Sequence, residues 1–280
     1  MERSLLLVTL ALIIVASAVF STSLGKSLEG FEILDEQLEF DTKDVQILSD
    51  EPIDTVAYAF IDRLRQDAFA DQTIFEQQIT DLQGWIADSF EDVIAQALVN
   101  LHDSLQRPIV ILDVGTWKGL ATHTIASVAK ANQIPVDIIA IDTWLGNPQF
   151  WTDGIDQPDM GAALLKRNGF PQVYFEFINL MWHFDHQDVI SPLPLSSTQA
   201  AEVLRFYNIR ADIIYIDADK EYEAVKEDVA NFWGLLQYGG VMIGDGYTQD
   251  FPGVIQAVDQ VAESIGIPVE IHDSLWVLQS

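Results

Sequence analysis

The sequence predicts a doubly wound α/β domain, and three observations carry that prediction. Residues 109–114 are an apolar, β-branched run containing Asp113, followed by the glycine turn Gly115-Thr116-Trp117-Lys118-Gly119 and then a helical pattern over 121–131. Similar runs recur at 136–141, 212–217 and 239–245, closing on Asp142, Asp217 and Asp245. Helix-length stretches separate them, which is the alternation of a parallel sheet whose strands are buried on both faces.

The spacing of the glycines bears on the ligand. A dinucleotide site wants Gly-x-Gly-x-x-Gly, because its middle glycine lets the backbone approach a pyrophosphate. Trp117 stands at that place. A diphosphate would meet an indole there, whereas a nucleoside without phosphates need not, and S-adenosyl-L-methionine (SAM) is such a ligand. A glycine turn that merely closes a β-α unit is the plainer alternative.

Composition removes other classes. Lys and Arg number 14 against 43 Asp and Glu, a formal net charge of -29 in 280 residues. That charge repels phosphate backbones, so a nucleic-acid partner is not expected. Without cysteine, disulfides, thiolate nucleophiles and Cys-based zinc sites are excluded. The five histidines (His102, His123, His183, His186, His272) form no H-E-x-x-H pattern. His183 and His186 come nearest to ligand spacing and read as a structural pair.

Four segments follow in order: a signal peptide or signal-anchor over 1–22, an acidic linker over 23–51, a helical cap over 52–106 and the catalytic domain over 107–280. Residues 5–20 are uninterruptedly apolar behind Arg3. The run is shorter than the roughly 20 residues that span a bilayer and slightly longer than a usual signal-peptide core of about 7–15. With Ala16-Ser17-Ala18 as an A-x-A-like cleavage site, both readings stay open, and either places the protein on a membrane or in the exported fraction. Helical periodicity begins after Pro52: Val56, Phe60 and Leu64, then Phe75, Ile79, Leu82 and Ile86, then Phe90, Ile94, Leu98 and Leu101. These helices are expected to pack on the sheet or cover the cofactor.

Beyond the second strand lies an aromatic, turn-rich stretch, 143–151, placed to cover a ligand. Helices are expected over 160–168 and 172–183, a third strand over 189–194, and a helix from Ser196 and Ser197 to about Tyr207 with ordinary N-cap chemistry. The fourth strand leads through Ala218-Asp219-Lys220-Glu221-Tyr222 into a helix ending near Trp233. Gly239-Gly240 reads as the turn before the fifth strand, residues 251–263 as a helix, and 269–272 with 275–278 as two closing strands around Asp273-Ser274.

Four carboxylates, Asp113, Asp142, Asp217 and Asp245, thus fall on one edge of one sheet. Burial alone does not explain them, since burying a lone charge is costly. Such a crevice suits a sulfonium, and a divalent cation such as Mg between Asp217 and Asp245 is a further expectation, with fewer ligands because Gly246 supplies no second acid. Asp142, some 20 residues past the glycine turn, is placed to meet ribose hydroxyls.

The string Ile-Leu-Asp-Val-Gly-Thr-Trp-Lys-Gly at 111–119 resembles the first motif of class I SAM-dependent methyltransferases. Ile-Asp-Thr-Trp-Leu-Gly-Asn-Pro at 141–148, Asn-Gly-Phe-Pro-Gln-Val-Tyr at 168–174, the segment 212–222 and Gly-Gly-Val-Met-Ile-Gly-Asp at 239–245 narrow the likeness. Together they look like methyltransferase family 24, relatives of the cephalosporin-hydroxylase and sugar O-methyltransferase type, over about residues 105–280. The resemblance implies a Rossmann-like, seven-stranded, mostly parallel sheet with an antiparallel last strand, preceded by N-terminal helices. It implies SAM binding at Asp113, Gly115, Thr116, Trp117, Gly119 and Asp142, with Thr143 and Trp144 beside ribose and adenine.

Two departures bear on the chemistry. Lys220 replaces a histidine common among relatives, and Gly246 replaces a second acid after Asp245. Lys220 stands among Asp217, Asp219 and Glu221, so its expected role is electrostatic, holding an oxyanion or pairing with Asp217. The catalytic set expected is Asp217, Lys220 and Asp245. The function expected is methyl transfer from SAM to a hydroxyl of a sugar, glycan or other small molecule. Its alternatives are a catalytically silent, membrane-anchored interaction module and an NAD(P)-dependent oxidoreductase. Neither the acceptor nor the oligomeric state is legible.

Overall fold

The central parallel strands follow from β-branched runs that have no polar face to offer water, the segments 109–114 and 211–216 being buried at every position. The computed structural model describes residues 54–71, 82–105, 107–151 and 162–280. The expected leader, the linker, and Phe75 and Ile79 lie outside the described residues. No helix among the described residues is long and apolar enough to cross a membrane.

The strands are β1 (Ile109–Val114), β2 (Val136–Ile141), β3 (Ile190–Leu193), β4 (Ala211–Ile216), β5 (Leu236–Gly244), β6 (Glu270–His272) and β7 (Leu275–Gln279). They form one sheet in the order β3-β2-β1-β4-β5-β7-β6. Pairs from β3 to β5 are parallel, and β7 runs antiparallel to both β5 and β6. The order reverses between β1 and β4, which makes their carboxyl ends the switch point where ligands of such sheets bind. The Rossmann-like sheet with its antiparallel strand is therefore as expected.

Two early helices pack on this sheet. α1 (Thr55–Ala68) is capped by Asp54, whose carboxylate accepts from the amides of Val56 and Ala57 at 2.9 Å. It lies along β3: Ser191 Oγ donates to the Ile61 carbonyl at 3.1 Å, and Phe60 stacks on Tyr207 at 4.0 Å. α2 (Phe90–His102) buries Phe90, Ile94 and Leu98, one side chain per turn, with Phe90 edge-on to Tyr215 of β4.

The remaining helices are α3 (Leu120–Ala131), the single turn α4 (Pro148–Trp151), α5 (Val173–His183), α6 (Ser197–Phe206), α7 (Tyr222–Trp233) and α8 (Pro252–Ile265). Three expectations need correction. Leu82 and Ile86 lie in no helix, since residues 82–89 are irregular or turn up to the start of α2 at Phe90. No helix continues to residue 168: Leu165 already has φ 49°, and Asn168 and Gly169 have φ 51° and 83°. Arg167 and Phe170 exchange backbone hydrogen bonds of 2.9 and 3.0 Å across them, the geometry of a mirror-image hairpin turn. Nor is Gly239-Gly240 the turn before β5, because the strand begins at Leu236, which pairs with Ala211. The glycines are an irregularity inside it, where Gly240 passes so close to β4 that a Cβ would stand 2.9 Å from the Asp212 carbonyl.

Candidate functional site

The site begins where β1 runs out. Gly115 has φ 91°, and a Cβ on it would overlap the Asp217 carbonyl and approach Ala218 N to 2.6 Å. The β1 and β4 turns thus touch, and only glycine fits between them. Gly119 caps α3 in a left-handed conformation at φ 92°. A Cβ there would meet Phe177 and Met181 of α5 at 2.8 Å. Two of the motif's glycines are therefore imposed by packing of the loop against its own protein.

Thr116 is buried, with its hydroxyl within reach of the Asp113 and Ile141 carbonyls at 3.1 and 3.4 Å. Trp117, at φ 51°, packs its indole 4.7 Å from the Phe150 ring. Its amide donates to Asp142 Oδ2 at 2.8 Å, while the Trp144 amide donates to Asp142 Oδ1 at 2.6 Å. Asp142 therefore clamps two loops, yet stays partly exposed at the end of β2. Burial raises its carboxyl above the ordinary range, against the pull of these amides. Because Asp142 takes the Trp117 amide, that amide is not presented to a diphosphate, and the oxidoreductase alternative loses its cradle.

The structure corrects two assigned contacts. Trp144 is 2% exposed, its Nε1 donates to the Trp117 carbonyl at 2.7 Å, and its ring lies against Tyr174 and Phe177. An indole so enclosed offers no face to adenine. Asp113 has no exposed surface, and Thr122 Oγ1 donates to it from α3. It sits under the glycine turn rather than on the rim, and burial pushes its carboxyl up to about 7. The expectation that burial could not account for these acids fails for this one. Thr143 is exposed, and its hydroxyl accepts from the Leu145 amide at 3.2 Å.

Across the switch point, Asp217 ends β4 and pairs with Lys220 Nζ, as the sequence suggests. The same ammonium donates to the Asp245 carbonyl at 3.3 Å, so Lys220 bridges the β4 and β5 turns. Gly246 leaves it room: a Cβ there would stand 3.1 to 3.3 Å from the end of its chain. Tyr215 OH donates to Asp217 Oδ2 at 3.4 Å, and Ser274 donates to Asp245 Oδ1. Burial raises the Asp217 carboxyl and Lys220 opposes it. The four acids are close enough to sense one another, since Asp217 and Asp142 both raise Asp113 and Asp245 raises Asp217.

A divalent cation finds no ready seat. The Lys220 ammonium already occupies Asp217, and among the described residues no group of three or more acids or histidines could hold a metal. The expected His183–His186 pair is likewise not formed: His183 is exposed, and buried His186 bonds instead to His123 of α3 at 3.0 Å.

Sequence reasoning missed Lys118. Its side chain is 2% exposed and pairs with Glu176 of α5 at 3.0 Å, while donating to Gln83 Oε1 at 2.8 Å. The available signal was Glu176 itself, a lone acid on the apolar face that buries Val173, Phe177 and Leu180.

With this geometry in place, the likenesses to known proteins are informative. Residues 112–247 match the family described as "Methyltransferase domain", methyltransferase family 24. No curated protein matches the chain. Among solved structures, the O-methyltransferase NovP is similar at 18% identity and a TM-score of 0.50, covering 80% of this chain and 98% of that one. The calicheamicin methyltransferase CalS11 aligns at 16% identity and a TM-score of 0.49, over 83% and 94%. An O-methyltransferase from Bacillus cereus in complex with SAH aligns at 14% and 0.44, over 85% and 95%. The chain thus shares the fold of the O-methyltransferase NovP, and its residues 112–247, which hold β1, the glycine turn and the β4 and β5 turns, match the methyltransferase-domain family.

Proposed function

We propose that this SAM-dependent methyltransferase methylates a hydroxyl of a sugar or other small molecule, with SAM lying over the Gly115 turn between Asp142 and Asp217. The observation that carries the reading is that turn: β1 and β4 meet at Gly115, with a partly exposed carboxylate on either side and no loop amide left at Trp117 for a diphosphate. The donor set suits a cationic nucleoside, because partly exposed Asp142 can accept from ribose hydroxyls and the surrounding acids favour a positive centre. The description of NovP as an O-methyltransferase agrees with a hydroxyl acceptor, at an identity that speaks only for fold.

When bound, SAM supplies an electrophilic methyl group on a sulfonium. Asp142 holds the nucleoside end and, through the Trp117 amide, the loop beneath it. Asp217, raised by burial, would accept the proton of the acceptor hydroxyl at Oδ2, which Lys220 does not hold and on which the Tyr215 hydroxyl makes only a long 3.4 Å contact. Lys220 keeps that carboxylate oriented and places a positive charge beside the oxygen as it develops negative character. Asp245 and Ser274 hold the far wall. We place the enzyme on a membrane or in the exported fraction through residues 1–22, with 52–106 as the segment that precedes the catalytic domain and contributes α1 and α2.

Calorimetric titration of the purified full-length chain with S-adenosylhomocysteine tests the reading. The wild type should bind, and Asp142→Ala should bind at least tenfold more weakly. No heat from the wild type, or equal affinity in the variant, rejects it. Tritium from methyl-labelled SAM should then appear in a hydroxyl-bearing small molecule or glycan of the source cell; binding without any labelled product would favour the silent module.

A further inference from the structure

Lys118 and Glu176 form an ion pair sealed inside the protein, with side chains 2% and 8% exposed and 3.0 Å apart. Burying two charges costs several kcal/mol of desolvation in order of magnitude, and apolar residues of similar volume often serve stability as well or better. A pair kept in such a place is thus poorly explained by stability alone. Its position supplies the other explanation.

Lys118 is the residue between Trp117 and Gly119. Its ammonium stands 5.8 Å from the Trp117 ring, which packs on Phe150 from 4.7 Å. Trp117 carries φ 51°, a backbone conformation costly for a bulky residue, which persists only when its surroundings over-determine it. Those surroundings are the hydrogen bond its amide donates to Asp142, the indole of Trp144 donating to its carbonyl, and the Lys118 side chain next door. Lys118 in turn is held from two sides, by Glu176 on α5 and by Gln83 ahead of α2. The segment around Gln83 is itself pressed onto the start of α3, where a Cβ on Gly84 would reach Leu120 Cβ at 2.9 Å.

We infer that Lys118 is a positioning residue: the Gln83–Lys118–Glu176 contact sets the pose of the Trp117 loop, and with it the affinity for the adenosyl ligand. Through Gln83, residues ahead of the catalytic domain help shape the cofactor site. This rests on the SAM reading given under Proposed function.

The test is the double variant Lys118→Met, Glu176→Met in the full-length chain, which removes both charges and leaves neither unpaired. Its melting temperature is expected to stay close to the wild type, while its calorimetric Kd for S-adenosylhomocysteine rises tenfold or more. A retained melting temperature with a Kd within twofold of wild type overturns the inference and leaves the pair merely structural. If the double variant loses its cooperative melt, Gln83→Met is read in its place. A threefold or larger rise in Kd at an unchanged melting temperature supports the inference, and an unchanged Kd overturns it. Failure of the wild type itself to bind rejects the SAM reading, and this inference with it.

Discussion

Asp113 shows how far a residue's role can lie from what its place in a motif suggests. It begins as a strand-end acid expected at a ligand and proves to be wholly buried, bonded to Thr122. Its carboxyl sits at about 7 in the folded protein against an ordinary 3.8, because burial disfavours the charged form. The folded state therefore keeps a proton that the unfolded chain gives up above pH 4. The resulting stability is complete below about pH 4 and is lost as pH rises through 7. At about 1.4 kcal/mol per unit, a shift of this size is on the order of 4 kcal/mol. His186, pushed down to about 4 by its own burial, acts in the opposite sense: the unfolded chain takes up its proton first as pH falls below about 6.5. Comparison with Asp113→Asn separates the two. The variant should gain melting temperature over the wild type at pH 8 relative to pH 5, measured by thermal denaturation in matched buffers. An equal difference at both pH values would refute this account of Asp113.

At the scale of the element, the two edges of the sheet do different work. Where β1 begins, Arg107 donates to both oxygens of buried Asp212 on β4, at 2.7 and 2.8 Å, and the Val110 amide donates to the same carboxylate at 2.9 Å. Asp212→Ala leaves a guanidinium and an amide without their acceptor and should cost about 3 kcal/mol in denaturant unfolding. Because this tether lies at the amino edge, the Kd for S-adenosylhomocysteine of the folded variant should not change. The strands and most helices were legible because hydrophobic periodicity reports burial directly. The β5 start was not, since Leu236 and Gln237 precede a glycine pair that reads locally as a turn. Legibility ended where side chains meet across the chain. Nothing local joins Lys118 to Glu176 or His123 to His186, and nothing in Thr-Trp-Leu-Gly shows that Trp144 turns inward to bond the Trp117 carbonyl. The acids Asp142, Asp217 and Asp245 were found because strand ends in such sheets converge by topology.

For the whole molecule, charge and topology matter most. A formal net charge of -29 makes the compact state repel itself, and salt at about 0.5 M shortens the screening length well below 10 Å. The melting temperature should therefore rise between low salt and 0.5 M NaCl at pH 8, with sucrose at equal osmolality as the control. A flat or falling response would show that local ion pairs outweigh the overall field. Topology has its own outcome. β7 enters the sheet between β5 and β6, which precede it in the sequence, and Trp276 lies over Gly244, where a Cβ would fall inside its ring. Until residues 275–279 have left the ribosome, β5 presents an unpaired ladder with Val241, Met242 and Ile243 along it. A nascent chain halted there would carry a sticky margin next to Asp245, and a chaperone that shields that margin would be guarding the Asp245 turn as well.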